Sequence, residues 1–290
     1  MEYILVNNTA VEENLAITDY WFKRKEYFPV HVVTCIIISI SLPLTLMTIC
    51  ALYSLVRKDH VAPIYVINLL ISDLIQLCSM IILETTQDAN VYKTAFYIYY
   101  SGLVISVGFM VCVSLERYLV IAHPLWYHFK RTIKNSVVVS VVVWLMPPVY
   151  ILTVFPWVTF DVTERIFAAS LVIPFPFFIF FLVGTLRALS TCVAVPSEEK
   201  RRIIVILVLV LLIYTLLFLP YIIWILVRNR TSDNLLNYIC EIFPKLSLLA
   251  DLILYIYIRK EAVGILATTV CCCKMQSSDA NINTIDVDNI

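Results

Sequence analysis

Seven long apolar runs constrain this chain more than any other feature of its sequence. Their approximate edges are 29–56, 62–84, 92–122, 135–156, 166–190, 202–227 and 237–258. About 20 apolar residues are enough for a helix to cross the hydrocarbon core of a bilayer. Because lipid offers no hydrogen bonds, each crossing segment must satisfy its own backbone, as a helix does. The pattern predicts an all-α membrane protein, a bundle of seven transmembrane helices.

The composition supports lipid as the main solvent. Hydrophobic residues make up 61% of the chain and charged residues 14%, against about a half and a quarter in soluble domains. The formal net charge is zero, so nucleic acid is not an expected partner. Only four glycines are present, and we find no Gly-rich phosphate loop and no catalytic sequence motif. We therefore do not expect an enzyme.

The distribution of basic residues predicts an extracellular N-terminus. In that orientation 13 of the 21 Lys and Arg residues lie on the inner side, as the positive-inside rule requires. Residues 1–28 then form an extracellular tail, and 29–258 form the membrane domain of a multi-pass protein of the cell membrane. Two glycosylation sequons fall on the outer side, at Asn7 and Asn229. We find no cleavable signal peptide, so the first apolar run is expected to direct insertion.

The chain after the seventh run has the pattern of a short amphipathic helix on the inner leaflet, at 259–274. Three cysteines end it, and juxtamembrane cysteines are typical palmitoylation sites: Cys271, Cys272 and Cys273. An unmodified, reduced cluster is the alternative. Residues 275–290 form a polar cytoplasmic tail.

Ionisable groups within the apolar runs are functional hypotheses by default, because a charge in a bilayer is costly. Asp73 lies in the middle of the second run, Glu116-Arg117-Tyr118 ends the third, and Asp251-Leu252-Ile253-Leu254-Tyr255 ends the seventh. These groups therefore mark the interior of the bundle and its inner end.

Taken in order, these motifs and their neighbours resemble those of rhodopsin-like (class A) G-protein-coupled receptors. The further matching positions are Asn68 before Asp73, His123-Pro124-Leu125, Trp144, Pro174 and Phe218-Leu219-Pro220. The Phe218-Leu219-Pro220-Tyr221 motif and the Asp251-to-Tyr255 motif resemble the branch that senses nucleotides, lipids, proteases and protons. The resemblance implies an extracellular ligand, a heterotrimeric G protein as partner, and arrestin as a further partner.

The resemblance assigns G-protein coupling to Glu116, Arg117, Tyr118 and Leu125. Arg117 is expected to pair with Glu116 at rest and to face the G protein after activation, a switch that suits a planar and permanently charged guanidinium. Leu125 would insert between apolar residues of the G protein. A membrane-interface arginine without this role is the alternative for Arg117.

Asp73 and Asp251, with Ser106 and Ser247, are expected to line one small polar pocket. Two carboxylates that share a buried site cannot both stay charged without a counter-ion. A sodium ion or one shared proton would resolve the conflict; no other metal or cofactor is expected. Hydrogen bonding between helices, without an ion, is the alternative.

Three residues are candidates for the activation switch. Pro220 removes a backbone hydrogen bond from the sixth helix and should kink it, so that its inner end moves most. Phe218 would be the packing toggle below the ligand, and Tyr255 ends the seventh-helix motif. Ordinary core packing is the alternative for Phe218.

The outer third of the bundle is the expected ligand pocket, with aromatic walls that suit an amphipathic organic ligand. Lys245 and Arg228 are candidates to bind an anionic head, and an ion pair with Glu84 is the alternative for Lys245. The aromatic candidates are Phe96, Tyr99, Tyr100, Phe175, Tyr221 and Trp224.

Several residues depart from the family pattern. Thr45, Leu182 and Leu252 replace the usual asparagine, tyrosine and proline of helices one, five and seven. The family's outer disulfide is missing, since Tyr92 stands at one cysteine position and the second outer loop, about 156–166, has no cysteine. We expect packing alone to hold this loop. A different outer bridge, Cys35–Cys240, would join helices one and seven. These losses allow a receptor that does not signal.

Three other functions compete with the ligand-gated receptor. Lys245 matches the retinal-binding lysine of opsins, but helix three has no acid before Glu116 to serve as a counter-ion, and Phe218 replaces the opsin tryptophan. A transporter would need a polar path, and beyond Asp73 and Asp251 the lining is apolar. Proton sensing is weaker still, because only His31 lies near the outer face.

Overall fold

The computed structural model describes most of the membrane part of the chain. The described residues are 28–58, 64–123, 133–154, 157–158, 160–191, 197–227 and 240–255. They form eight helices and, within these ranges, no strand. The helices are α1 Phe28–Lys58, α2 Ile64–Thr85, α3 Ala89–Ala122, α4 Ile133–Val154, α5 Phe160–Ser170, α6 Pro174–Thr191, α7 Ser197–Val227 and α8 240–255.

The helices confirm the prediction of an all-α transmembrane bundle. Six segments of the described chain are long and apolar enough to cross a bilayer, and α8 coincides with the seventh apolar run. The six are Phe28–Cys50, Ile64–Thr85, Ala89–Ala122, Lys134–Ile151, Arg165–Ser190 and Ile203–Ile225. Only α5 and α6 share one span, so the seven predicted spans correspond to eight helices.

The fifth span is not the single helix that we predicted. It is divided into α5 and α6 by a turn at 171–173. Pro174 has no N–H to donate and disfavours a helical conformation at the residue before it. The amide of Phe175 therefore bonds to the Val172 carbonyl at 3.2 Å, in place of the regular helical acceptor Leu171.

The segment expected to be the second outer loop is also partly helical, since α5 begins at Phe160. Phe167, Ala168 and Leu171 are buried in the main core. These residues follow the expected loop, so the prediction that packing alone holds it stays a prediction, whereas the prediction of a loop up to residue 166 is wrong because α5 begins at Phe160.

The centre of the bundle is α3, which packs against α2, α4, α6 and α7. Its first turn is capped by Asp88, whose carboxylate accepts from the amides of Asn90 at 2.8 Å and Val91 at 3.2 Å. Such a cap satisfies amides that have no partner within the helix. The helix then crosses the core with Leu103, Phe109 and Met110 fully buried.

One hydrogen bond joins two of the sequence motifs. The indole Nε1 of Trp144 on α4 donates to Asn68 Oδ1 on α2 at 2.9 Å. A polar side chain in an apolar bundle needs such a partner. The two motif residues therefore fix α4 against α2.

Candidate functional site

A polar network lies in the interior of the bundle, where α2, α3 and α8 meet. Asp73 and Asp251 are both completely buried. Ser106 of α3 lies between them; its hydroxyl donates to Asp251 Oδ2 at 3.2 Å and also interacts with Asp73. The two carboxyl groups are joined through the Ser106 hydroxyl. The structure thus brings three of the four residues of the predicted pocket together.

The network includes one residue that sequence reasoning missed and lacks one that it predicted. The amide of Gln76, one turn after Asp73, donates to Asp73 Oδ1 at 3.4 Å. The spacing of three residues within α2 was the available signal. The hydroxyl of Ser247 instead donates to the Pro244 carbonyl of its own helix at 2.7 Å, so Ser247 does not bond to the carboxylates.

Two carboxylate oxygens of the network retain unused bonding capacity. Asp73 Oδ2 and Asp251 Oδ1 are buried and have no hydrogen-bond partner within the described part of the chain. Oxygens of this kind are preferred ligands of hard cations such as sodium. The donor set therefore fits the predicted ion, or the proton that would replace it.

A second site is a small outer cavity between α2, α3 and α8. Its volume is about 20 Å³, which is room for one water molecule. Of the predicted ligand-binding residues, Phe96, Tyr99, Tyr100 and Lys245 line it. Sequence reasoning missed the remaining lining residues, which are Met80, Leu83, Tyr92, Glu241 and Pro244.

Lys245 is the buried cation of this cavity, with 3% of its surface exposed. Its Nζ donates to Thr34 Oγ1 on α1 at 3.1 Å and lies 3.6 Å from Glu241 Oε1, one turn earlier in α8. Glu84 instead accepts from His31 at 2.7 Å. Glu84 is not among the residues that line the cavity, and its predicted ion pair with Lys245 stays a prediction.

Aromatic side chains extend the cavity wall towards α7. The hydroxyl groups of Tyr100 and Tyr221 are hydrogen-bonded, and their rings are stacked. Trp224 follows, with its ring 5.9 Å from that of Tyr221. Phe175 packs against Tyr214, with the two rings 6.5 Å apart, and it is not among the residues that line the cavity. Arg228 lies outside the described residues.

The candidate switch residues lie in a packed aromatic column. Phe218 is completely buried and stacks on Tyr214 at 5.1 Å, while Pro220 lies inside α7. Tyr214, which sequence reasoning missed, donates its hydroxyl to the Leu171 carbonyl, which the break before Pro174 leaves without its usual helical donor. Tyr255 is buried too, and its hydroxyl has no partner within the described ranges.

At the inner end, Tyr118 packs between α3 and α6. Its ring lies 5.8 Å from Phe181 and 5.7 Å from Phe180. Glu116 and Arg117 are half-buried beside it, and the ion pair between them stays a prediction. Leu125 lies outside the described residues, as do Asn7, Asn229 and the cysteines at 271–273.

The departures from the family pattern occupy ordinary core positions. Thr45 and Leu252 are buried, and Tyr92, at the position of the missing cysteine, lines the outer cavity. Leu182 packs at the edge of the inner apolar cluster. Cys35 and Cys240 are both free thiols, so the expected bridge between them is wrong.

A multi-pass helical bundle with buried carboxylates, an outer aromatic cavity and an arginine motif at the far end of α3 is the arrangement that the resemblance to rhodopsin-like receptors predicts. The sequence comparisons agree. The family model described as 7 transmembrane receptor (rhodopsin family) matches residues 44–167. Over these residues the chain is similar to the rhodopsin-like family of seven-transmembrane receptors.

Individual relatives are distant. G-protein coupled receptor 68 of Mus musculus is 25% identical over 71% of this chain and 64% of its own length. C-C chemokine receptor type 1 of Macaca fascicularis is 25% identical over 68% of this chain and 62% of its own length. Free fatty acid receptor 3 of Homo sapiens is 26% identical over 48% of this chain and 41% of its own length. The matches thus span less than two thirds of these relatives. All three are named as receptors, which bears out the interpretation that this chain is not an enzyme.

Proposed function

We propose that the protein is a cell-membrane receptor with its N-terminus outside, which binds an extracellular ligand and activates a heterotrimeric G protein. One observation carries the proposal: a single helix, α3, contributes to all three sites. Phe96 and Tyr100 line the outer cavity, Ser106 joins the carboxylates, and Arg117 stands near the inner end. At 1.5 Å per residue, Phe96 and Arg117 are about 30 Å apart, the thickness of the hydrocarbon core.

The ligand is proposed to be a small amphipathic molecule with an anionic head. Lys245 supplies the only cation among the residues that line the described cavity, and tyrosine and phenylalanine rings supply the apolar wall. Because Glu241 lies beside Lys245, the head group would replace that carboxylate as the partner of the ammonium. The similarity to a free fatty acid receptor is in keeping with this ligand class.

Ligand binding would act through the contacts of α3 with α7. A ligand larger than a water molecule must displace side chains that line the cavity. One of these is Tyr100, which is hydrogen-bonded to Tyr221 of α7, so its displacement would move Tyr221. Movement of Tyr221 is transmitted to Phe218, one turn earlier, and the proline at position 220 lets the inner half of α7 move separately. Arg117 would then face the G protein.

A sodium ion or a shared proton is proposed at Asp73, Asp251 and Ser106. The ion would supply the positive charge that two buried carboxylates need. We expect NaCl, compared with KCl at equal ionic strength, to raise the melting temperature of the purified protein, and Asp73→Asn to abolish the difference. Ser247→Ala serves as the control and should retain it. If sodium and potassium act alike on the native protein while acidification stabilises it, the site holds a proton instead of sodium.

Substitution of Arg117 tests the proposed activation of a G protein. The full chain in lipid nanodiscs is mixed with different heterotrimeric G proteins, and nucleotide exchange is measured in the presence of nucleotides, lysolipids, fatty acids, peptides or acid. We expect at least one condition to accelerate exchange, and Arg117→Ala to reduce that rate roughly tenfold or more. Arg187→Ala, on the exposed inner end of α6, is the matched control and should leave the rate unchanged.

Two results would contradict the proposal. Equal exchange with native protein and Arg117→Ala would remove the role of the inner arginine. Saturable binding of a compound without exchange on any G protein would favour a receptor that traps its ligand without signalling. That outcome would fit the replacements Thr45, Leu182 and Leu252.

A further inference from the structure

Three chemically reactive side chains meet near the start of α1, outside the carboxylate network and the outer cavity. His31 and Cys35 lie one turn apart on α1, and Glu84 lies near the end of α2. The His31 Nδ1 is 2.7 Å from Glu84 Oε2, and the Cys35 Sγ is 3.7 Å from the His31 Nε2. The imidazole therefore joins the carboxylate on one side to the sulfur on the other.

The carboxylate of Glu84 determines what the imidazole can do. A carboxylate accepts hydrogen bonds, so the proton of the neutral ring resides on Nδ1, and Nε2 presents a lone pair towards Cys35. A histidine whose second ring nitrogen donates to a carboxylate is the usual arrangement in protein metal sites, because that bond orients the ring and raises its basicity.

The sulfur and nitrogen are spaced as two ligands of one tetrahedral ion would be. Zinc binds thiolate at about 2.3 Å and imidazole at about 2.0 Å, so a tetrahedral angle separates the two ligand atoms by about 3.5 Å. The observed separation is 3.7 Å. Both side chains lie on the surface of the bundle, since Cys35 is exposed and the side chain of His31 is 47% exposed.

We propose that Cys35 Sγ and His31 Nε2 bind a borderline divalent cation of the zinc type, with Glu84 as the group that orients the histidine. Thiolate and imidazole select such ions over magnesium or calcium. The described residues contain no group of three His, Cys, Asp or Glu ligands, so water completes the coordination. A site with two protein ligands binds reversibly, as a regulatory rather than a structural ion does.

The position of the site connects it with the outer cavity. Thr34, the neighbour of Cys35, accepts the hydrogen bond from Lys245. Leu83, the neighbour of Glu84, lines the cavity. A bound cation would thus restrain α1 and α2 beside the buried lysine. Binding of the cation itself does not depend on the receptor function proposed above.

The test is protection of one thiol by zinc. The purified full chain in nanodiscs is treated with a maleimide at increasing ZnCl₂, and labelling of each cysteine is measured by peptide mass spectrometry. We expect zinc to slow the labelling of Cys35 but not that of Cys78, an exposed cysteine on α2, and magnesium to have no effect. His31→Asn should remove the protection, and Glu84→Gln should raise the zinc concentration required by about tenfold to a hundredfold.

Cobalt gives an independent measurement that does not rely on labelling. Co²⁺ bound to a thiolate has a charge-transfer absorption, which we expect for the native protein and for Cys78→Ser but not for Cys35→Ser. Thermal unfolding verifies that each variant is folded. Labelling of Cys35 that is independent of zinc, protection that survives His31→Asn, or equal cobalt spectra for native protein and Cys35→Ser would each overturn the proposal.

Discussion

Gly102→Leu is expected to lower the free energy of unfolding by about 3 kcal/mol, the upper part of the range for overpacked cores. A Cβ at this position would lie 2.6 Å from Gln76 Cγ and 3.4 Å from the Ser72 carbonyl oxygen on α2. The flexible Gln76 side chain can move away from one methyl group, but the α2 backbone cannot move away from a leucine without separating the two helices.

Thermal unfolding of the purified protein in detergent measures this effect. Gly102→Ala should lower the free energy of unfolding by less than Gly102→Leu does, because only the Gln76 side chain must shift. That shift breaks the hydrogen bond from Gln76 to Asp73. Ile98→Leu, at an exposed position one turn earlier on α3, is the matched control and should be neutral. An unchanged melting temperature for Gly102→Leu would show that α2 and α3 do not pack as the structure has them.

Lys245→Met should also destabilise the protein by about 3 kcal/mol, at the lower end of the cost of breaking a buried ion pair. The side chains of Lys245 and Glu241 are only 4% and 13% exposed. Methionine fills the space of the lysine but leaves Glu241 without the neighbouring positive charge. A carboxylate that stays buried without this charge destabilises the fold more than an apolar pair in the same place does.

The double variant distinguishes lost charge pairing from lost packing. If the pair matters, Lys245→Met with Glu241→Gln should recover most of the loss, so that the effects of the two substitutions do not add. Thr34→Val removes only the hydroxyl that accepts from Lys245 and should cost about 1 kcal/mol. Additive losses in the double variant would show that Glu241 does not stabilise the charge of Lys245.

The sequence was sufficient to predict the helices and the interior charges. A run of about 20 apolar residues in lipid favours a helix, because its backbone must be satisfied within the segment. Apart from the fifth run, which is divided into α5 and α6, the described runs are helical close to their predicted edges. Asp73 and Asp251 meet because a buried carboxyl group must face the centre of the bundle rather than lipid. Trp144 and Asn68 were matched as separate motifs, and the structure joins them by a hydrogen bond.

The remaining features depend on tertiary contacts that spacing alone does not encode. Pro174 is compatible with a kinked helix or with a break, and the structure has a break, in which Tyr214 donates to the freed Leu171 carbonyl. The sequence also does not determine the partner of Lys245, because Glu84 and Glu241 both lie near the outer end of the bundle. The contact between His31 and Glu84 depends on how α1 packs against α2, which the spacing of residues does not encode.

The central claim is that the end of the bundle near Arg117 opens to receive a G protein. It is tested most directly by the distance between two spin labels, at Val137 on α4 and Arg201 on α7, both exposed. The full chain is measured in nanodiscs with and without the nucleotide-free heterotrimer selected by the exchange assay. We predict that the heterotrimer increases this distance and that Arg117→Ala prevents the increase. A distance that stays the same at saturating heterotrimer would contradict the account.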